Sequence, residues 1–181
     1  QPIPDGGTGQ ILKFAYGNSF AIYGLAAYYK LTQNEEVLNL AKAGFQWLEE
    51  HSHDPEYGGY FQFLERDGTP MKNGFGKTPP KDYNSSIHLL EAFAELYGVW
   101  KDDILRKRLE EMLVLVRDTM MDERGFLNLH FQADWTHLSY QDSTEEARKA
   151  NFNLDHVSYG HDTETAWLLM EATEALGNHH D

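Results

Sequence analysis

The sequence predicts an all-α fold in which buried helices alternate with surface helices, an inner ring wrapped by an outer one. Three observations carry this. Two segments show one apolar stripe and one charged face, which suits an outer position. Three others are apolar nearly all round, which suits an inner one. Gly-bearing loops with short extended stretches follow each amphipathic segment, so the unit repeats loosely. An open α-solenoid is the alternative arrangement of the same pattern.

The first helix is expected over about Asn18–Lys30, with Phe20, Ile22, Tyr23, Leu25 and Tyr28 spread round it. The second, about Glu35–Glu50, carries Val37, Leu38, Ala41, Phe45 and Leu48 on one side, with Asn34 as its N-cap. Asp54-Pro-Glu-Tyr-Gly-Gly59 breaks it, and Tyr60–Leu64 and Thr69–Met71 read as a hairpin turning at Gly68. The third and fourth helices are expected over about Asn84–Tyr97 and Asp103–Met120. Ser139–Asn151 reads as a loop or short helix, and the fifth helix as about His161–Leu176. Gln1–Gly7 reads as loop interior, and His179 and His180 as a helix-ending loop.

Composition narrows the function. A single domain over 1–181 is long enough for a sizeable core. The net charge of −14 excludes the basic patches that nucleic acid or an anionic membrane requires. With no Cys there is no thiolate metal site and no Cys nucleophile. No run of about 18 apolar residues crosses a membrane. A cytoplasmic protein with one small ligand, and at most a second copy of itself as a homodimer, is the expectation. Aromatics at 13 % suit either a packed core or a sugar-binding cleft.

The polar residues of the inner helices carry the chemistry. On the third helix Asn84, His88 and Glu91 fall within a narrow arc, on a helix otherwise covered by Leu89, Leu90, Phe93 and Leu96. Such a stripe costs free energy unless it is paired or faces a cavity. The fifth helix opens on Tyr159-Gly-His161-Asp-Thr-Glu164, where His161 and Glu164 are neighbours three residues apart. One such pair is usually structural; two on inner helices point to a shared axial cavity. Both run His-x-x-Glu, the reverse of the di-metal bundle order, and His-Glu-x-x-His is absent, so no metal or other cofactor is expected. His130 and His137 flank an aromatic-rich extended stretch and could line a cleft rim, and His156 lies in the loop before His161; a surface or packing role is the plainer reading of each.

Four motifs in chain order carry a resemblance: Tyr16-Gly-Asn-Ser-Phe-Ala-Ile-Tyr23, Asp54–Phe61, Lys81-Asp-Tyr-Asn84-Ser-Ser-Ile-His88-Leu-Leu-Glu91-Ala92, and Ser158-Tyr-Gly-His161-Asp-Thr-Glu164. At these residues the chain resembles the N-acylglucosamine 2-epimerase superfamily, and within it the cellobiose 2-epimerases most, with Tyr83 where Met is usual. The resemblance implies an (α/α)6 barrel that interconverts sugars differing at carbon 2. It implies that His161 gives and takes the proton at carbon 2, that Glu164 supports it, and that His88 and Asn84 contact the reacting oxygens. Tyr16, Tyr23 and Trp167 are candidate stacking surfaces for the sugar, and Glu91 a further binding residue.

Six helix pairs of this repeat length need roughly 400 residues. The resemblance therefore implies a central part of the barrel, inactive alone, with a second acid–base His and an N-terminal Arg unmatched here. Three rival functions remain. An aldose–ketose isomerase shares the enediolate but returns the proton at carbon 1. An inverting glycoside hydrolase would use Asp162 and Glu164 as its carboxylate pair. A binding scaffold would need no buried polar stripe.

Overall fold

The computed structural model describes residues 12–177, so the expectations for Gln1–Gly7, His179 and His180 lie outside the described residues. The chain runs β1 (Lys13–Phe14), α1 (Ala15–Thr32), α2 (Glu35–His51), β2 (Phe63–Leu64), β3 (Lys81–Asp82), α3 (Tyr83–Val99) and α4 (Asp103–Val114). A π-helical turn, Leu115–Met120, extends α4; β4 (His130–Phe131), α5 (Glu145–Ala150), a 3-10 turn (Phe152–Leu154) and α6 (Tyr159–Ala175) follow.

Local chemistry sets the helix ends. Asn34 accepts from the Glu36 amide at 3.0 Å and starts α2, with Glu35 and Glu36 in its first turn. Gln33, in the left-handed conformation (φ 54°), closes α1. The Asp102 carboxylate caps α4 by accepting from the amides of Ile104 and Leu105. The stretch left open between loop and helix contains α5, started by Thr144.

The expected layering is present. α1, α3 and α6 pack side by side as the inner layer, while α2 lies against α1 and α4 against α3. The core between the layers joins Ile22 and Ala26 to Leu38, Phe45 and Leu48, and Leu89, Phe93 and Leu96 to Leu105, Leu109 and Met112. Burial of the inner helices is uneven, contrary to expectation. α3 is enclosed, but α1 buries only Ala15, Ser19, Ile22 and Ala26, and α6 only Thr165, Leu168 and Ala172. The reason is position: α3 has inner neighbours on both sides, α1 and α6 on one.

The hairpin forms around Gly68 (φ 96°), closed by Glu65 N–H to Thr69 O and Met71 N–H to Phe63 O, both 2.9 Å. It is one bridge long, with Leu64 opposite Pro70 as a non-hydrogen-bonded pair that tolerates proline. The other edge of β2 pairs antiparallel with β1, Lys13 opposite Leu64 and Phe14 opposite Phe63, a partner the sequence did not disclose. β3 pairs antiparallel with β4, placing Lys81 opposite Phe131 and Asp82 opposite His130. No helix among the described residues is long and apolar enough to cross a membrane.

Candidate active site

One buried cation, on the strand that leads into α3, fastens the loop after α2 to the loop after β4. Lys81 is fully buried, and its Nζ donates to Asp54 Oδ2 (2.7 Å), Gly58 O (2.8 Å) and Ala133 O (2.7 Å), with the Trp135 ring 4.6 Å away. Asp54 Oδ1 also accepts from the amides of Glu56 and Tyr57. Burial pushes the Asp54 carboxyl up, but the Lys81 bond and those amides outweigh it and hold it below its usual range. Burial drives Lys81 down as well, against the pull of Asp54. The two shifts act oppositely on the pair. Three acceptors around one Nζ decide for the ammonium form at neutral pH. Gly59 (φ 70°) is required in this loop, since a Cβ there would stand 2.4 Å from the Trp135 ring.

Next in sequence, Asp82 turns the chain into α3. Its buried carboxylate accepts from the Ser85 amide at 2.7 Å and caps the helix. Burial raises the Asp82 carboxyl above its usual range, opposed by that amide and by His130. Asn84 follows in the first turn of α3 and faces a cavity of about 450 Å³. Tyr16, Gln62, His130, Asn153, His156 and His161 line it with Asn84.

His161 lies in the first turn of α6. Its Nδ1 is 2.7 Å from Ser158 Oγ and 3.1 Å from the Tyr83 hydroxyl, whose ring stands perpendicular to it. With Nδ1 occupied, Nε2 is the nitrogen without a protein partner among the described residues. The Tyr83 hydroxyl is raised above its ordinary value, by burial first. Tyr83, the departure from the usual motif, thus holds the very ring the resemblance singles out.

The expected His161–Glu164 bond is not made. Glu164 is exposed, and the two hydroxyls take its place on the imidazole. The His88–Glu91 pair is made, Nδ1 to Oε2 at 2.9 Å. His88 is 7 % exposed and packed against the rings of Tyr16 (5.5 Å) and Phe20 (4.6 Å), beside the cavity rather than on its lining. Tyr23 is half-buried facing the acidic side of α3 and α6. Burial, then Glu91, Glu95 and Glu171, raise its hydroxyl above the ordinary value. Trp167 is 61 % exposed on α6. Tyr16, Asn84 and His161 therefore meet in the cavity; Tyr23, Glu91, Glu164 and Trp167 do not line it. Ser158, which opens the motif of His161, and Asn153, which carries no local signal, were not read as site residues.

A larger hollow of about 770 Å³ lies beneath α5. Several of its charges are paired: Arg124 with Asp122 and Lys149 with Glu145, while Asp155 accepts from Ser139 and the Tyr140 amide. The hollow shares His156 with the smaller cavity but holds neither Asn84, Tyr83 nor His161.

Comparison with known proteins places the family and the fold. The profile of the N-acylglucosamine 2-epimerase (GlcNAc 2-epimerase) family matches residues 71–181, more than half of the chain. A cellobiose 2-epimerase of Bacteroides fragilis is 32 % identical over 171 residues, 92 % of this chain and 40 % of that protein. The solved structure of cellobiose 2-epimerase from Bacillus thermoamylovorans B4167 superposes with a TM-score of 0.79 at 29 % identity, over 92 % of this chain and 40 % of the other. That from Spirochaeta thermophila DSM 6192 gives 0.78 at 32 % identity, over 97 % and 41 %. These neighbours are (α/α)6 barrels, and this chain has the fold of part of one. It spans about 40 % of the length of the relatives it matches.

Proposed function

The chain belongs to the N-acylglucosamine 2-epimerase family, and from that premise we propose that it forms the central part of a sugar 2-epimerase and supplies one of its two proton-transfer groups. The substrate is an aldose or N-acyl amino sugar, of the cellobiose, glucose–mannose or N-acylglucosamine type, inverted at carbon 2. The carrying observation is His161. Its ring lines a sugar-sized cavity, its Nδ1 is fixed by Ser158 and Tyr83, and Nε2 is left for the substrate.

The reaction follows from those groups. The sugar ring opens, and Nε2 of neutral His161 takes the proton from carbon 2. The electron pair moves into the carbon 1 carbonyl and gives an enediolate. The Asn84 amide donates to the developing oxyanion, where a fixed donor is worth most. Proton return on the opposite face inverts the centre. The group on that face comes from outside this chain, as do the helices that complete the barrel. His88, held by Glu91 and covered by Tyr16, keeps the Tyr16 ring in place against the cavity.

Incubating the intact protein with cellobiose, N-acetylglucosamine and mannose in heavy water tests this. The expected result is deuterium at carbon 2 of the epimeric aldose, falling about 10²–10⁴-fold in rate with His161→Ala. A ketose product would move the activity to aldose–ketose isomerisation. Exchange that survives His161→Ala unchanged would remove His161 from the reaction.

A further inference from the structure

The cavity has a second polar wall, built from β4 and the 3-10 turn rather than from the inner helices. His130 lines it from β4, placed opposite Asp82 by the strand register. His156 and Asn153 line it from the turn and the residues after it. Both imidazoles are tethered in the same way. His130 Nδ1 is 3.0 Å from Leu154 O, and His156 Nδ1 is 2.7 Å from Phe152 O. A carbonyl oxygen only accepts, so each Nδ1 carries the hydrogen and each Nε2 carries the lone pair. The His156 ring is further fixed by stacking on Phe152, centroids 4.6 Å apart and planes within 14°.

Two imidazoles held from behind, one of them (His156) also bordering the hollow beneath α5, and the Asn153 amide, which both donates and accepts, therefore line one cavity. Neither Nε2 has a protein partner among the described residues. This is a pattern for hydroxyl groups: each hydroxyl can give its hydrogen to an imidazole nitrogen. It suits an anion poorly, since neutral Nε2 donates nothing, and it is separate from the fixed imidazole of His161.

We propose that His130, Asn153 and His156 form a specificity subsite that binds the hydroxyls of the sugar remote from carbons 1 and 2. The proposal rests on the epimerase reading of the cavity. It assigns discrimination among sugars to β4 and the 3-10 turn, and proton transfer to α6. The wall residues act on the bound ground state, so they govern KM and leave the chemical step to His161.

The test uses the intact protein, with its histidines labelled with nitrogen-15, and long-range proton–nitrogen spectra at pH 7.5. Before sugar, His130 and His156 are both expected as the Nδ1–H tautomer. Titration with cellobiose or N-acetylglucosamine is expected to shift the Nε2 resonances of both. His130→Phe and His156→Phe are each expected to raise KM about tenfold, the loss of one good hydrogen bond, with kcat within about twofold. A response at His161 with none at His130 or His156 overturns the subsite and leaves the epimerase reading standing. A response at the wall without exchange at carbon 2 keeps the sugar subsite and removes the epimerase reading. Silence at all three histidines overturns both. The spectra of the unmutated protein decide the matter even where a variant fails to fold.

Discussion

Replacing Lys81 with Met is the sharpest test of how the site is held. The substitution keeps the length of the side chain and removes only the ammonium. It strips Asp54 Oδ2, Gly58 O and Ala133 O of their donor at once, in a place where Lys81 is fully buried and the Asp54 side chain is 4 % exposed. A buried carboxylate left without its partner costs about 3–5 kcal/mol. For a chain of this size that is a fall in Tm of about 6–20 °C, at about 2–4 °C per kcal/mol. Adding Asp54→Asn removes the stranded charge while Oδ1 still accepts from Glu56 and Tyr57, so the double variant should recover about 1–3 kcal/mol of coupling. Urea unfolding followed by circular dichroism measures all four corners of the cycle. The pH dependence has a fixed sign. Because the folded Asp54 carboxyl lies below its usual range, its stabilisation is present above the ordinary carboxylate value and is lost as pH falls through the lower folded one. Lys81→Met should flatten that acid limb. A cost below about 1 kcal/mol, the size of an exposed ion pair, would refute the reasoning. So would strictly additive single variants.

Tyr83→Phe and Ser158→Ala should each lower kcat about fivefold, equivalent to about 1 kcal/mol for one hydrogen bond to His161, with KM little changed. Steady-state kinetics with the sugar that shows exchange checks this, and an equal rise in KM alone would assign them to binding instead. His137→Phe should flatten the acid sensitivity of folding. The His137 Nε2 is buried without a partner, and burial holds its imidazole below the ordinary 6.5 or so, so the unfolded chain takes up the proton first. Stability carried by neutral His137 is then present above about 6.5 and lost as pH falls through the folded value. Urea midpoints of both proteins from pH 7.5 to 5 should diverge; parallel curves would contradict it.

What the sequence disclosed divides by range. The His88–Glu91 bond spans three residues on one helix, so helical geometry alone places it. The same rule failed for His161 and Glu164, because Tyr83 arrives from 78 positions away and Ser158 from the turn before α6, and both reach Nδ1. No periodicity encodes that. His130 was legible only as a residue beside an extended stretch, and its pairing with Asp82 is a matter of strand register between β3 and β4. Its tautomer depends on a carbonyl 24 residues on. The Asp54 and Lys81 motifs were visible as letters, and only the fold shows that they are two ends of one buried ion pair.

The three inner helices show what an all-round apolar pattern does and does not mean. It records the neighbours a helix is built to have, and burial then depends on how many are present. α3, between α1 and α6 with α4 behind it, buries eleven residues. α1 and α6, of similar length and similarly apolar to the eye, bury four and three, and leave Tyr28, Leu31, Trp167 and Met170 more than half exposed. At about 25 cal/mol per Å² of apolar surface, covering side chains of that size is worth about 1.5–3 kcal/mol each. Such faces are expensive to leave in water on two sides of one layer. Their positions on opposite flanks are those a ring requires of the helices at its open edges, in a chain spanning about 40 % of its barrel-forming relatives. The mismatch between apolar pattern and burial in α1 and α6 is therefore an argument for the inner-ring reading rather than against it, since an outer helix would have shown a single stripe, as α2 does.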